Sequence, residues 1–172
     1  LIADKVLTMS PDMKRDIITL GCPSSKIEIH YYGVETERFA FPNRVYCDKS
    51  SLNILIVAVL YEYKGHTYLF QALRKLIDRG IKNFKVQCVG IGPLFKKLRN
   101  EVASLNLENH VEFLGFLSRK EIVERFHNAD IYVQPSITTN DNVKEGIPGA
   151  LVEAMSSGLP VISTYHAGIP YI

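Results

Sequence analysis

From Ser51 to the end of the chain, short runs rich in Val, Ile, Leu and aromatic residues alternate with longer amphipathic ones, and this alternation leaves few ways to fold. Apolar side chains in short, β-branched-rich runs suit strands, whereas apolar side chains three and four apart suit helices. Strands are expected at Asn53 to Leu60, Phe84 to Val89, Val111 to Leu114, Ile131 to Gln134 and Pro160 to Thr164. Strands and helices in strict turn specify a parallel sheet with helices on its faces, because each parallel connection must cross over and does so with one hand. The expected class is therefore α/β, a doubly wound parallel sheet of five strands. Such sheets bind ligands beyond the carboxyl ends of their strands.

The helices between these strands carry their own punctuation. Leu69, Ala72, Leu73, Leu76 and Ile77 recur at helical spacing, and Gly80 supplies a left-handed stop. A second helix is expected from Pro93, whose missing N–H has no partner to lose in a first turn; it would bury Leu94, Leu98, Val102 and Leu105. Ser118 and Glu121 form a capping box ahead of Ile122, Val123 and Phe126. The fourth helix, Ala150 to Ser157, ends at Gly158. Residues 1 to 49 differ: a strand (Lys5 to Met9), a helix capped by Ser10-Pro11 and stopped at Gly21, a strand (Lys26 to Tyr32), and a polar stretch around Gly33 and Pro42. This is a βαβ piece followed by a linker, so the expected division is 1 to 49 and 50 to 172.

Composition excludes several functions. With 20 Lys and Arg against 18 Asp and Glu, the formal charge is +2, too small for gripping nucleic acid by its phosphates. The middle of the chain is mildly basic, but Arg74, Lys75, Lys96, Lys97 and Arg99 fall on outer helix faces where solvent accounts for them. No run is long and apolar enough for a membrane span, and the first 30 residues lack a signal-peptide layout. Cys22, Cys47 and Cys88 share no metal-ligand spacing and read as buried thiols in a reducing compartment. His66, His110, His127 and His166 likewise share no spacing, which argues against a metal site or a His-based nucleophile system. Since the chain opens at Leu1 rather than Met, it is expected to come from something longer.

Four strand-end loops hold the candidate chemistry: Lys64-Gly65, Gly90-Ile91-Gly92, Gly115-Phe116-Leu117, and the loop from Ser136 into Glu145-Gly146-Ile147-Pro148-Gly149. Glycines flanking a helix start let bare N–H groups meet a phosphate or a sugar hydroxyl. Glu145 and Glu153 can accept sugar or ribose hydroxyls; alternatively, Glu145 complements the helix dipole and Glu153 is solvated. Lys64 can neutralise a diphosphate or be plain surface. The Gly90 and Gly92 pair serves either a structural turn or the close approach of a base. Phe95 stands where a third glycine would complete a dinucleotide fingerprint, which opposes an oxidoreductase.

The string EGIPGALVEAMSSGLPVISTYHAGIP (145 to 170) resembles the E-x7-E signature of retaining glycosyltransferases of family four, two-domain enzymes of the GT-B fold with Rossmann-like halves. ADKVLTMS, KIEIHYYGVETERF, ILIVAVLYEYKGHTYLFQAL, VGIGPL, VEFLGFLS and ADIYVQPS agree in order, and the EGIP form is most similar to transferases of bacterial exopolysaccharide and colanic-acid-type synthesis. The resemblance implies that this chain is the C-terminal, donor-binding half, transferring a hexose from a nucleotide-diphosphate sugar to a glycan or lipid-linked acceptor with retention, by front-face displacement. Glu145 would contact the donor hexose, and Gly146, Ile147, Pro148 and Gly149 the sugar and distal phosphate. Glu153 would hold the ribose and Lys64 the diphosphate, while Gly90, Gly92 and the Phe116 to Ser118 loop, Leu117 included, would border the base. It implies no cofactor and no metal, a cytoplasmic location, and peripheral association of the full-length protein with the inner membrane face. The alternative from another class is a nucleotide-sugar-binding module without turnover. Two departures stand out: Ala58-Val59 replaces the family's Gly-Arg, and Tyr171 replaces a common Glu. Loss of that Arg removes a charge-assisted contact worth on the order of 1.5 to 3 kcal/mol.

Overall fold

Five strands line up side by side and all parallel, starting in spatial order at Val111, Phe84, Leu52, Ile131 and Val161, and this order decides where function can sit. The computed structural model describes residues 3–40 and 50–172. The strands are β3 (Leu52–Val57), β4 (Phe84–Val89), β5 (Val111–Gly115), β6 (Ile131–Gln134) and β7 (Val161–Ser163); the helices between them are α3 (His66–Asp78), α4 (Phe95–Ser104), α5 (Arg119–Asn128) and α6 (Gly149–Ser156). The chain winds outward from β3 to β5, then α5 carries it back so that β6 pairs with the other side of β3. Winding reverses between β3 and β6, which opens a crevice at their carboxyl ends. Ahead of this sheet, β1 (Val6–Thr8) and β2 (Ile27–Ile29) form a separate parallel pair, joined by α1 (Pro11–Thr19) and followed by α2 (Thr36–Phe39).

Two apolar layers hold the sheet. On one side Ile54, Ile56, Val86 and Cys88 pack with Leu69, Phe70 and Leu73 of α3 and Leu98 and Val102 of α4. On the other, Leu55, Val89 and Tyr132 pack with Phe126 of α5 and Leu151 and Ala154 of α6. The capping box forms, with Ser118 Oγ accepting from Glu121 N–H and the Glu121 carboxylate accepting from Ser118 N–H. Cys22 and Cys88 are buried free thiols, and burial pushes Cys88 up to about 12; Cys47 lies outside the described residues.

Some expectations need correction. The strand expected to reach Leu60 ends at Val57, because the chain there turns to meet the loop after β4: Ala58 and Leu60 N–H groups donate to Val89 and Ile91 carbonyls, at 2.9 and 3.0 Å. The helix expected from Pro93 starts at Phe95, because residues 92 to 95 form a turn ahead of it in which Phe95 N–H donates to Gly92 O at 3.2 Å, while Leu94 N–H ties that turn to the Leu60 carbonyl at 3.2 Å. The stretch read as polar linker contains α2, whose Phe39 is fully buried against α5 and α6. Pro42 and the rest of 41–49 lie outside the described residues.

Candidate functional site

The reversal point gathers the loop after β3 and the loop after β6. Past β3 a short 3-10 turn ends at Lys64, and Gly65 follows in a left-handed conformation, φ 72°. A Cβ at Gly65 would lie 1.8 Å from the Pro135 carbonyl oxygen, so only glycine lets this turn press against the end of β6. Ile137 N–H donates to Tyr63 O at 2.9 Å and fastens the two loops. The result is an ion pair between Lys64 and Glu145, residues 81 apart in sequence, whose side chains are only 13% and 8% exposed.

Glu145 is gripped on every side. Its second carboxylate oxygen accepts from Ser136 Oγ at 2.5 Å. Ser136 in turn accepts from the Gln134 amide at 2.9 Å, and Gln134 Oε1 accepts from the Tyr132 hydroxyl at 2.8 Å. Tyr132, Gln134 and Ser136 are fully buried, so strand alternation sends a chain of satisfied polar groups from the interior to the carboxylate. Glu145 N–H donates to His166 Nε2 at 3.3 Å, and the other ring nitrogen meets Thr138 Oγ1 at 3.4 Å. Burial holds the His166 imidazole below its ordinary value; Lys144 adds to this, while Glu145 and Asp12 act against it. Sequence reasoning missed Tyr132, Gln134, Ser136, Thr138 and His166. The available signal was Tyr-x-Gln-x-Ser, three polar groups two residues apart that run from buried β6 into the loop after it.

The start of α6 has Pro148 at its cap, no side-chain cap bond and no acidic residue in its first turn, so its leading N–H groups have no carboxylate of their own helix. Glu145 does not serve as that cap; it is committed to Lys64 and Ser136. Ile147 is buried, and the space above the two glycines is in use. A Cβ on Gly146 would lie 2.7 Å from Met9 Cε, and one on Gly149 would lie 3.2 Å from the Tyr32 ring. On the side where a Cβ would project, the β1-α1-β2 unit thus covers both glycines.

The remaining candidates divide. Glu153 is not solvated: its side chain is 7% exposed and pairs with Arg119 at 2.6 Å, and Arg119 lies over the Phe39 ring at 4.7 Å. Glu153 therefore sits in a second ion pair, separate from Lys64 and Glu145. Gly90 and Gly92 have a structural reason to be glycine, since a Cβ would lie 2.0 Å from Ala58 O and 2.6 Å from Leu60 O respectively. Leu117 is half-buried against the second apolar layer, while Phe116 stands 77% exposed. Val59 is exposed and Ala58 buried at the end of β3. Tyr171 places its hydroxyl 3.5 Å from Arg15 of α1. Among the described residues no three His, Cys, Asp or Glu side chains gather as a metal site, and no helix is long and apolar enough to cross a membrane.

The sequence and the fold both match known proteins. Residues 41–172 match the family model described as glycosyl transferases group 1. The chain is 40% identical over 151 residues to the putative colanic acid biosynthesis glycosyltransferase WcaL of Escherichia coli K12, covering 88% of this chain and 37% of the relative. It is 39% identical over 165 residues to the amylovoran biosynthesis glycosyltransferase AmsK of Erwinia amylovora, covering 96% and 40%. The chain thus spans about two fifths of the length of these relatives. Among solved structures, Anabaena Alr3699/HepE in complex with UDP and glucose superposes with a TM-score of 0.80 at 21% identity, over 98% of this chain and 46% of that one. WaaG, a glycosyltransferase involved in lipopolysaccharide biosynthesis, gives 0.79 at 19%, over 98% and 46%. The parallel sheet reversing at β3 and β6 is an arrangement of the GT-B kind, and the chain belongs to the group 1 glycosyltransferases.

Proposed function

We propose that residues 50–172 bind the nucleotide-diphosphate sugar for a retaining hexosyltransferase, and that residues 1–49 contribute the last βαβ piece and hinge of the acceptor half. The observation that carries this reading is the Lys64 and Glu145 pair at the reversal point, beside an uncapped helix start. A cation and a carboxylate side by side suit the two ends of the bond to be broken. Lys64 and the N–H groups of Gly149 and its neighbours face the departing diphosphate, and Glu145 faces hydroxyls of the hexose. Glu153 takes the ribose by exchanging Arg119 for two hydroxyls, and Gly90, Gly92 and Leu117 border the base. In the front-face displacement, the anomeric carbon to phosphate oxygen bond breaks as the acceptor oxygen bonds from the same side, and the acceptor proton leaves with the diphosphate. This assigns no step to a metal or cofactor.

The acceptor is a glycan or lipid-linked sugar, in keeping with the polysaccharide syntheses for which WcaL and AmsK are named. The full-length protein then works at the cytoplasmic face of the inner membrane. Saturation-transfer NMR of the chain against UDP-, GDP- and ADP-sugars tests the donor reading and names the base. Lys64→Ala is expected to weaken nucleoside-diphosphate binding more than nucleoside binding; equal loss for both would remove Lys64 from the diphosphate. The 172-residue chain is expected to bind donor without transferring sugar, because proximity of donor and acceptor in a closed cleft supplies much of the rate. Binding of no donor at all would favour a degenerate module, for which Val59 is the motive.

A further inference from the structure

We infer that His166 is a positioning residue for Glu145, and that the loop after β7 clamps the proposed hexose-contacting carboxylate in place; the inference rests on the donor-site reading above. Two successive residues of the Glu145 loop are held from behind. Glu145 N–H donates to His166 Nε2 at 3.3 Å, and the Gly146 carbonyl accepts from Gly168 N–H at 3.1 Å. Gly168 has to be small, since a Cβ there would lie 2.5 Å from Gly146 O. Between the two, Ala167 sits at φ 46°, a left-handed conformation that a residue with a Cβ keeps only when its surroundings enforce it. The loop is anchored at its base as well: Ser163 Oγ donates to Gln134 O at 2.6 Å and Thr164 Oγ1 to Ser136 O at 2.5 Å.

The chemistry of the ring sets a condition on this clamp. An Nε2 that accepts carries no proton, so the single proton of the neutral ring is on Nδ1, donated to Thr138 Oγ1. Protonation turns Nε2 into a donor aimed at another donor, and the clamp opens. The charged groups facing the ring are Glu145 and Lys144 from the loop before α6 and Asp12 from α1. The two carboxylates favour the charged ring; burial and Lys144 oppose it, and burial prevails. The ring is neutral at pH 7 and the clamp opens on acidification. Because Glu145 meets only the sugar in the proposed reading, opening should lower the preference for a nucleotide sugar over its bare nucleotide while leaving nucleotide affinity in place.

The test has two arms. In the first, 15N NMR of the free chain reads the His166 tautomer and follows the Glu145 amide through a pH titration. A bare Nε2, with the Glu145 amide shifting at the ring's own midpoint, is expected; a protonated Nε2 at pH 7, or an indifferent amide, overturns the clamp whatever the ligand. In the second, calorimetry at pH 7 and pH 5 compares UDP-glucose with UDP, GDP-mannose with GDP and ADP-glucose with ADP, using the pairs that bind. For His166→Ala, the preference for the sugar form should fall about fivefold at pH 7. For His166→Gln, whose amide oxygen can accept from Glu145 N–H, it should stay near the parent value and lose its pH dependence. An unchanged preference in both variants overturns the positioning role. If the ring titrates as expected and no pair binds, the donor reading fails and takes the positioning role with it, while the tautomer result stands apart.

Discussion

The β1-α1-β2 unit and the five-stranded sheet are built from the same βα grammar, yet they hold together differently. The sheet is covered on both faces, and Ile56, Phe70, Val86, Phe126 and Tyr132 are fully buried. In the small unit α1 buries none of its residues, and Leu7 and Leu20 are 63% and 85% exposed. A two-stranded sheet with one helix can hide one face only. What fixes the unit against the rest is largely polar or soft: Lys144 pairs with Asp12 and Asp16 at 3.1 and 2.7 Å, Met9 and Met13 lie on Gly146, and Tyr32 lies on Gly149. The comparison teaches that correct local pattern makes the element, while the second covered face makes it stable.

The largest test of this contrast is apolar truncation. Phe126→Ala is expected to cost about 3 to 5 kcal/mol in urea unfolding, against within about 0.5 kcal/mol for Leu7→Ala or Leu20→Ala. Similar costs at the two places would break the comparison. Next comes a titration inside the sheet domain. His66 is buried with neither ring nitrogen hydrogen-bonded among the described residues, and burial, with Lys64 nearby, lowers it to about 4. The unfolded chain therefore binds more protons between pH 6.5 and about 4, and stability falls on acidification through that window by on the order of 3 kcal/mol. His66→Leu should flatten the dependence of Tm on pH and hold stability at pH 7, since two unpartnered polar atoms leave the core. A slope unchanged by the substitution would place the acid sensitivity elsewhere.

Glycine substitutions sharpen the comparison at smaller scale. Gly90→Ala meets backbone at 2.0 Å from a φ of 136°, and should cost at least about 1 to 3 kcal/mol. Gly146→Ala meets the movable end of Met9, and should cost less by the same denaturation measurement. The smallest effect is expected for Lys144→Ala. Exposed pairs are worth about 0 to 1 kcal/mol, so the sheet's Tm should hold while amides of β1 and α1 exchange faster. Uniform exchange across both units, before and after that change, would mean that they open as one.

The sequence exposes what is local and hides what is tertiary. Phe84–Val89 and Ile131–Gln134 are strands with the expected bounds, because β-branched runs between turn residues report themselves. Ser118 and Glu121 cap α5 as their spacing requires. The placing of Lys64 and Glu145 at one edge follows from alternation plus crossover handedness and was legible too, whereas their ion pair comes from tertiary packing. By contrast, α2 is four residues long and exists because Phe39 finds a pocket between α5 and α6, which no periodicity announces. The arrival of Met9 over Gly146 and of Tyr32 over Gly149 is likewise a product of packing between distant segments. The His166 contact depends on a left-handed Ala167, a conformation that composition does not signal.

The reversal of winding at β3 also sets the order of events when the chain folds. Everything from β3 to β5 can pair between neighbours in sequence, but β6 must return past two strands, and Lys64 waits for a partner 81 residues away. Loop closure over that span comes late, after the local βα pairs have formed. A molecule that grips both loops thus touches contacts absent from the early ensemble. It would slow the rate of unfolding and leave the rate of folding nearly unchanged, and during synthesis it would find no grip until the loop after β7 had left the ribosome.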